Sequence, residues 1–218
     1  MASIDNLSII VDLLIVLTVA VFYTGALVWF NFRRKDLDRA EKSLREGAWL
    51  IGFLGLLIGI FGIWAETTFP LTEGSSAVYN IFFFDPLVLL AFLAIAFAVL
   101  VTFRLPTHFI GFMGVIVGTG VLYYAIHGYQ LGLTKDPFET LLLYCAFGAL
   151  AILLYIPTLF IDWFVVGPRV PSVQPIASSP TPAYPRMWMG LLGFFMVVVF
   201  LAGLAAVLYG FSIVWSHV

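Results

Sequence analysis

A single cysteine, Cys145, lies in the middle of an apolar run of this 218-residue chain, which leaves no intrachain disulfide and no thiolate metal cluster. Charge is nearly as scarce. Asp, Glu, Lys and Arg make up 10% of the residues against 62% hydrophobic, with a mean hydropathy of +1.09, well outside the range of soluble globular domains. No G-x-x-x-x-G-K, G-x-S-x-G or G-x-G-x-x-G occurs, so no phosphate loop, nucleophile elbow or dinucleotide fingerprint is present. Histidine is limited to His108, His127 and His217, with no His-x-x-x-His ligand spacing. Apart from one run beside the first apolar segment there is no basic patch, which argues against a nucleic-acid partner and for anionic lipid headgroups.

What the chain has instead is long apolar runs. A bilayer core about 30 Å thick needs roughly 20 apolar residues per helix, and six such runs can be placed near residues 8–31, 47–65, 86–103, 106–127, 138–164 and 187–215. These predict an all-α integral membrane protein, a single transmembrane domain built as a bundle of about six helices, with the lipid bilayer as its first partner. Nine of the ten Lys and Arg residues fall in the first, third and fifth gaps, and Lys135 alone falls on the other side. Because Lys and Arg collect in short cytoplasmic loops, the sorting predicts a multi-pass plasma-membrane protein with both termini outside. The inner gaps then carry net +4, and the outer loops with their helix ends net −6.

The N-terminus has no basic n-region, and Arg33-Arg34-Lys35 follows the first run, so this run is expected to be an anchor rather than a removable signal peptide. Residues 32–46 pair Asp38 with Lys42 and Glu41 with Arg45 at helical spacing and predict a charged cytoplasmic helical hairpin. The gap Phe103 to His108 is so short that the third and fourth helices must be antiparallel neighbours. Residues 165–186 hold six prolines and predict an extended cytoplasmic linker. Gly52, Gly55, Gly59 and Gly62, and again Gly114 with Gly118 and Ala206 with Gly210, repeat at the spacing that lets helices pack closely. Trp29, Trp49, Trp64, Trp163, Trp188 and Trp215 all fall near span ends and read as an interfacial belt.

Chemistry on this chain is expected on the outer face, where a polar cluster is available from Glu66, Asn80, Asp85, His127, Asp136 and Glu139. Two readings of these residues stand side by side. Asp85-Pro86 and Asp136-Pro137 can simply open helices, with Asp as N-cap and Pro at N1. Alternatively Glu66, Asp85, His127 and Glu139 converge on a divalent metal. His127 and His217, both at outer helix ends, raise a b-type haem as a further cofactor reading, against that of two interfacial histidines. Asp12 is an acid about one turn inside the first span, where it needs a partner, a cavity or a route to the surface. Asp162, at the inner end of the fifth span, is expected to be solvated.

The segment from Tyr79-Asn80-Ile81 to Asp85-Pro86 and the Gly132-Leu133-Thr134 to Pro137 segment resemble those of an uncharacterised, domain-of-unknown-function family of archaeal and bacterial polytopic membrane proteins. The resemblance covers roughly the second to fifth helices. It implies a polytopic helical fold and supplies no catalytic residue. From the residues themselves the leading expectation is a non-catalytic subunit that packs with other membrane subunits of a larger, respiratory or oxidising, complex. The alternatives are a small cation transporter or channel, using Asp12, Glu66 and Asp85, and a membrane enzyme with an outer-face metal or haem site.

Overall fold

The computed structural model describes residues 6–68, 76–134, 137–166 and 185–215. All secondary structure among them is helical: α1 Asn6–Arg33, α2 Leu37–Thr68, α3 Ser76–Thr102, α4 His108–Gln130, α5 Pro137–Leu153, α6 Tyr155–Phe160, a π-helical turn Ile161–Val166, and α7 Pro185–Trp215. Six stretches are long and apolar enough to cross a membrane, with α5, α6 and the π-turn forming one of them, Pro137–Val166. The outward surface is as apolar as the core. Val19, Phe92 and Phe112 are each about 60% exposed, an arrangement stable against hydrocarbon and not against water. The protein is a multi-pass helical membrane protein.

The spans form a closed ring. α1 packs on α2, α2 on α3, α3 on α4, α4 on α5 and α6, and α5 on α7, which returns to α1. Small residues set the closest seams. The glycines of α2 lie on α3, where a β-carbon at Gly55 would stand 2.7 Å from the Ala94 methyl. On α4, a β-carbon at Gly118 would stand 2.5 Å from the Gly148 carbonyl oxygen, and one at Gly114 2.6 Å from that of Ala151. These backbones touch because nothing larger intervenes. The glycine spacing therefore serves packing within the chain.

At the end holding Arg33 to Arg45 and Arg104, here the basic end, α1 gives way to α2 through a turn with Lys35 at φ 61°. The first turns of α2 are part of the packed bundle. Ala40, Glu41 and Leu44 are buried, the apolar pair against Phe160, Phe164 and α7, and Arg104 Nη2 reaches Glu41 Oε1 at 2.7 Å. At the opposite, acidic end α4 stops at Gly132. Its φ of 58° is one that glycine adopts without strain, and the Leu133 N–H turns back to the Gly128 carbonyl at 3.1 Å.

The third helix differs from the sequence expectation. It begins at Ser76, so Asp85 and Pro86 lie well inside it and Asp85 caps nothing. The physical reason is the solvent. A helix opening at Pro86 would leave the backbone of Ile81 to Phe84 without partners at a depth where water is scarce, so helix continues through it. Pro86 still lacks the N–H that would bond the Phe82 carbonyl four residues back. Tyr144 of α5 replaces it, its hydroxyl donating to Phe82 O at 2.8 Å while its ring stacks on Phe82 at 4.8 Å. Tyr144→Phe is therefore expected to leave that carbonyl bare and cost about 1–2 kcal/mol. Pro86→Ala, which restores the N–H, should rescue most of the loss. A thermal-unfolding double-mutant cycle with additive effects would contradict the exchange.

Candidate functional site

Two polar constellations break the apolar body, one at each end. At the acidic end, α2 contributes Glu66 near its last turn, α3 contributes Asp85, and α4 contributes Tyr124. The Tyr124 hydroxyl donates to Asp85 Oδ2 at 2.7 Å, and the Glu66 carboxyl is a neighbour of that of Asp85. Asp85 lies on the outward stripe of α3 with Ile81, Leu89 and Phe92, all exposed, so the cluster is half-buried on the outer side of the ring. From Tyr124 to the start of α4 is roughly 24 Å at 1.5 Å per residue, which sets the cluster near one edge of a hydrocarbon core.

The other sequence candidates do not join it. Asn80 is completely buried in α3. His127 is exposed, with its ring against Tyr123 at 4.0 Å, and Glu139 is exposed on the first turn of α5. Asp136 and His217 lie outside the described residues. Among the described residues no three His, Cys, Asp or Glu side chains come together as metal ligands, so the four-residue convergence is reduced to the Glu66–Asp85 pair. Asp12 is exposed on the outward stripe of α1 with Val16 and Val19. Tyr124 is the residue the sequence reading missed. Its place near the outer end of the fourth helix was legible, but its rotation toward Asp85 depends on how α3 and α4 pack.

At the basic end Asp162 overturns its expected solvation, being 2% exposed. The proline at 157 removes one helical N–H and interrupts the fifth span at Leu154, where the N–H bonds back three residues to Ala151 O. The span resumes as α6 and widens into the π-turn that carries Asp162. There the carboxylate meets the open N-terminus of α4. Oδ1 accepts the Thr107 N–H and hydroxyl, both at 2.8 Å, and Oδ2 accepts the His108 N–H at 2.9 Å with His108 Nδ1 at 2.8 Å. A buried carboxylate survives because these donors and the positive end of a helix surround it. This is a structural clasp joining the fourth and fifth spans. The clue in the sequence was an uncapped helix start after a very short gap, with an acid at the same end of the next span. Asp162→Asn is expected to cost about 3 kcal/mol, and Thr107→Ala on the order of 1 kcal/mol. Unchanged thermal stability of Asp162→Asn would refute the clasp.

Inside the ring lie two apolar chambers of about 120 and 60 Å³. No acidic, basic or histidine side chain lines either. Left unfilled, the larger costs on the order of 3 kcal/mol of packing.

The site and fold thus describe a polytopic helical membrane protein with peripheral polar clusters and an apolar interior. A family model described as a protein of unknown function, DUF981, matches residues 1–218, and the chain belongs to that family. No curated protein and no solved structure matches the chain.

Proposed function

We propose that this protein is a non-catalytic membrane subunit that packs laterally against a larger membrane complex, using the outer face of α2, α3 and α4 around Glu66, Asp85 and Tyr124. The observation that carries this reading is the placement of a carboxyl pair and a phenol on the outward side of an otherwise apolar ring. Acids facing lipid are costly unless another group covers them, and a basic or amide side chain from a neighbouring subunit is the natural cover. Tyr124 fixes the Asp85 carboxyl, so a partner meets at least that group in a set orientation.

Cation transport finds less support. A pathway needs polar groups near midplane, whereas the chambers are walled by residues such as Leu90, Phe147 and Phe195. The Thr18 and Thr24 hydroxyls bond to carbonyls of their own helix, Leu14 O at 2.6 Å and Ala20 O at 2.7 Å, and no carboxylate accompanies them on the chamber wall.

Purification in mild detergent with native mass spectrometry is expected to retain another membrane polypeptide at fixed stoichiometry. The pair Glu66→Gln with Asp85→Asn should lower its recovery at least tenfold while thermal unfolding of the isolated chain stays intact. A monomer with no stoichiometric companion would sink the proposal. The charge sorting supports placing the basic end in the cytoplasm, with both termini outside. In a Cys145→Ser background, Lys42→Cys should label from the cytoplasmic side and Gln130→Cys from outside. The reverse pattern would invert the topology.

A further inference from the structure

The two interior chambers point to a binding function separate from the outer face. The larger is walled by α1, α2, α3, α7 and the interrupted fifth span, and the smaller by α1, α3, α4, α5 and α7. Leu90, Phe147 and Ala151 line both and form the partition between them. Every hydroxyl on these walls is already engaged. Thr18 and Thr24 bond within α1, Tyr144 donates to the Phe82 carbonyl, and Tyr209 Oη receives Thr140 Oγ1 at 3.4 Å. With the Thr18, Thr24 and Tyr144 hydroxyl donors spent on protein carbonyls and no charged or amide side chain on the walls, a water inside would give up most of its hydrogen bonds, and such a cavity favours an apolar guest.

Nor can the ring close on the space by sliding. Its neighbouring spans are fixed by seams in which Gly55 meets Ala94 and Gly118 meets the Gly148 backbone. Phe82, Phe83 and Tyr144 stack at the acidic end, and Phe32, Phe160 and Phe164 pack edge to face at the basic end. The volume is thus framed by contacts that do not depend on its being filled.

We propose that this interior is a binding site for a small, uncharged, apolar molecule. A cavity of roughly 150 Å³ lined by Leu, Ile and Phe takes benzene or xenon, so the larger chamber suits a guest up to about that size, such as a diatomic gas or a short hydrocarbon. Such molecules concentrate in the bilayer that surrounds the ring.

Xenon is the probe, because its position is read directly by anomalous scattering. Crystals of the full chain under xenon pressure are expected to show the atom in the larger chamber, between Leu17, Leu90, Phe147 and Phe195. Ala151→Phe, which fills the partition from α5, should remove it, and Phe147→Ala should join the two sites into one. If Ala151→Phe fails to fold, Val21→Phe fills the same chamber from α1. Xenon should also raise the thermal midpoint of the unmodified chain over argon, and not that of the filled variant. Ordered water in the chamber, no xenon in the unmodified chain, or undiminished xenon in a folded filled variant would each overturn the assignment. None of these readouts involves a partner subunit, so failure here leaves the lateral docking surface untouched.

Discussion

Backbone hydrogen bonding in a medium without water governs this structure. Each spanning helix must satisfy its own carbonyls, and the chain breaks that rule at two prolines. At Pro86 the deficit falls on the Phe82 carbonyl and is met by the Tyr144 hydroxyl, which ties α3 to α5 across the ring. At Pro157 the Leu153 carbonyl, four residues back, loses its helical donor and the fifth span loosens. The π-turn that follows delivers Asp162 to the N-terminus of α4. Both prolines thus stand beside links between spans, Tyr144 to the Phe82 carbonyl at the first and the Asp162 carboxylate to the start of α4 beyond the second.

Packing follows from the same solvent. Lipid gives helices no hydrophobic reason to associate, so close approach has to come from small residues and van der Waals contact. Here Gly52, Gly55, Gly59 and Gly62 of α2 lie on the seam with α3, and Gly111, Gly114 and Gly118 of α4 on the seam with the fifth span. Tight seams between neighbours draw six helices into a ring, and a ring of six leaves room at its centre unless large side chains fill it. Leu90, Phe147 and Phe195 fill much of it and leave the two chambers. The interior space is thus a consequence of how the outer seams are made.

The gross architecture was legible because it rests on additive signals: twenty-odd apolar residues per span, and small residues at a spacing that puts them on one helix face. The cross-links were not, since each depends on the rotation of one helix relative to another. Asp85-Pro86 carries the local signature of a helix start, and locally that reading is sound. It fails because the apolar stretch Ile81 to Phe84 already lies at membrane depth, where the cost of an unbonded backbone outweighs cap preference. Asp162 likewise sits at a span end where water is the ordinary partner, and the short Phe103 to His108 turn brings it a helix terminus instead. Glu66 and Asp85 were both marked as outer-face acids, yet their contact and the Tyr124 donor arise from the packing of three helices.

Where the polar groups lie limits what the molecule can do. Both clusters are at the rim or the ends of the ring, and neither opens into the chambers. Their roles also differ. Asp162 is enclosed, with its oxygens directed at donors of its own chain, so it is occupied in holding α4. The Glu66–Asp85–Tyr124 group has one hydrogen bond, Tyr124 to Asp85, and is half-exposed, with Ile63, Ile81 and Tyr123 exposed on the same helices. Acids placed on the lipid-facing side of a spanning helix are costly unless another group covers them. The polar clusters and the apolar chambers are thus separate in space, the first at the rim and ends of the ring and the second within it.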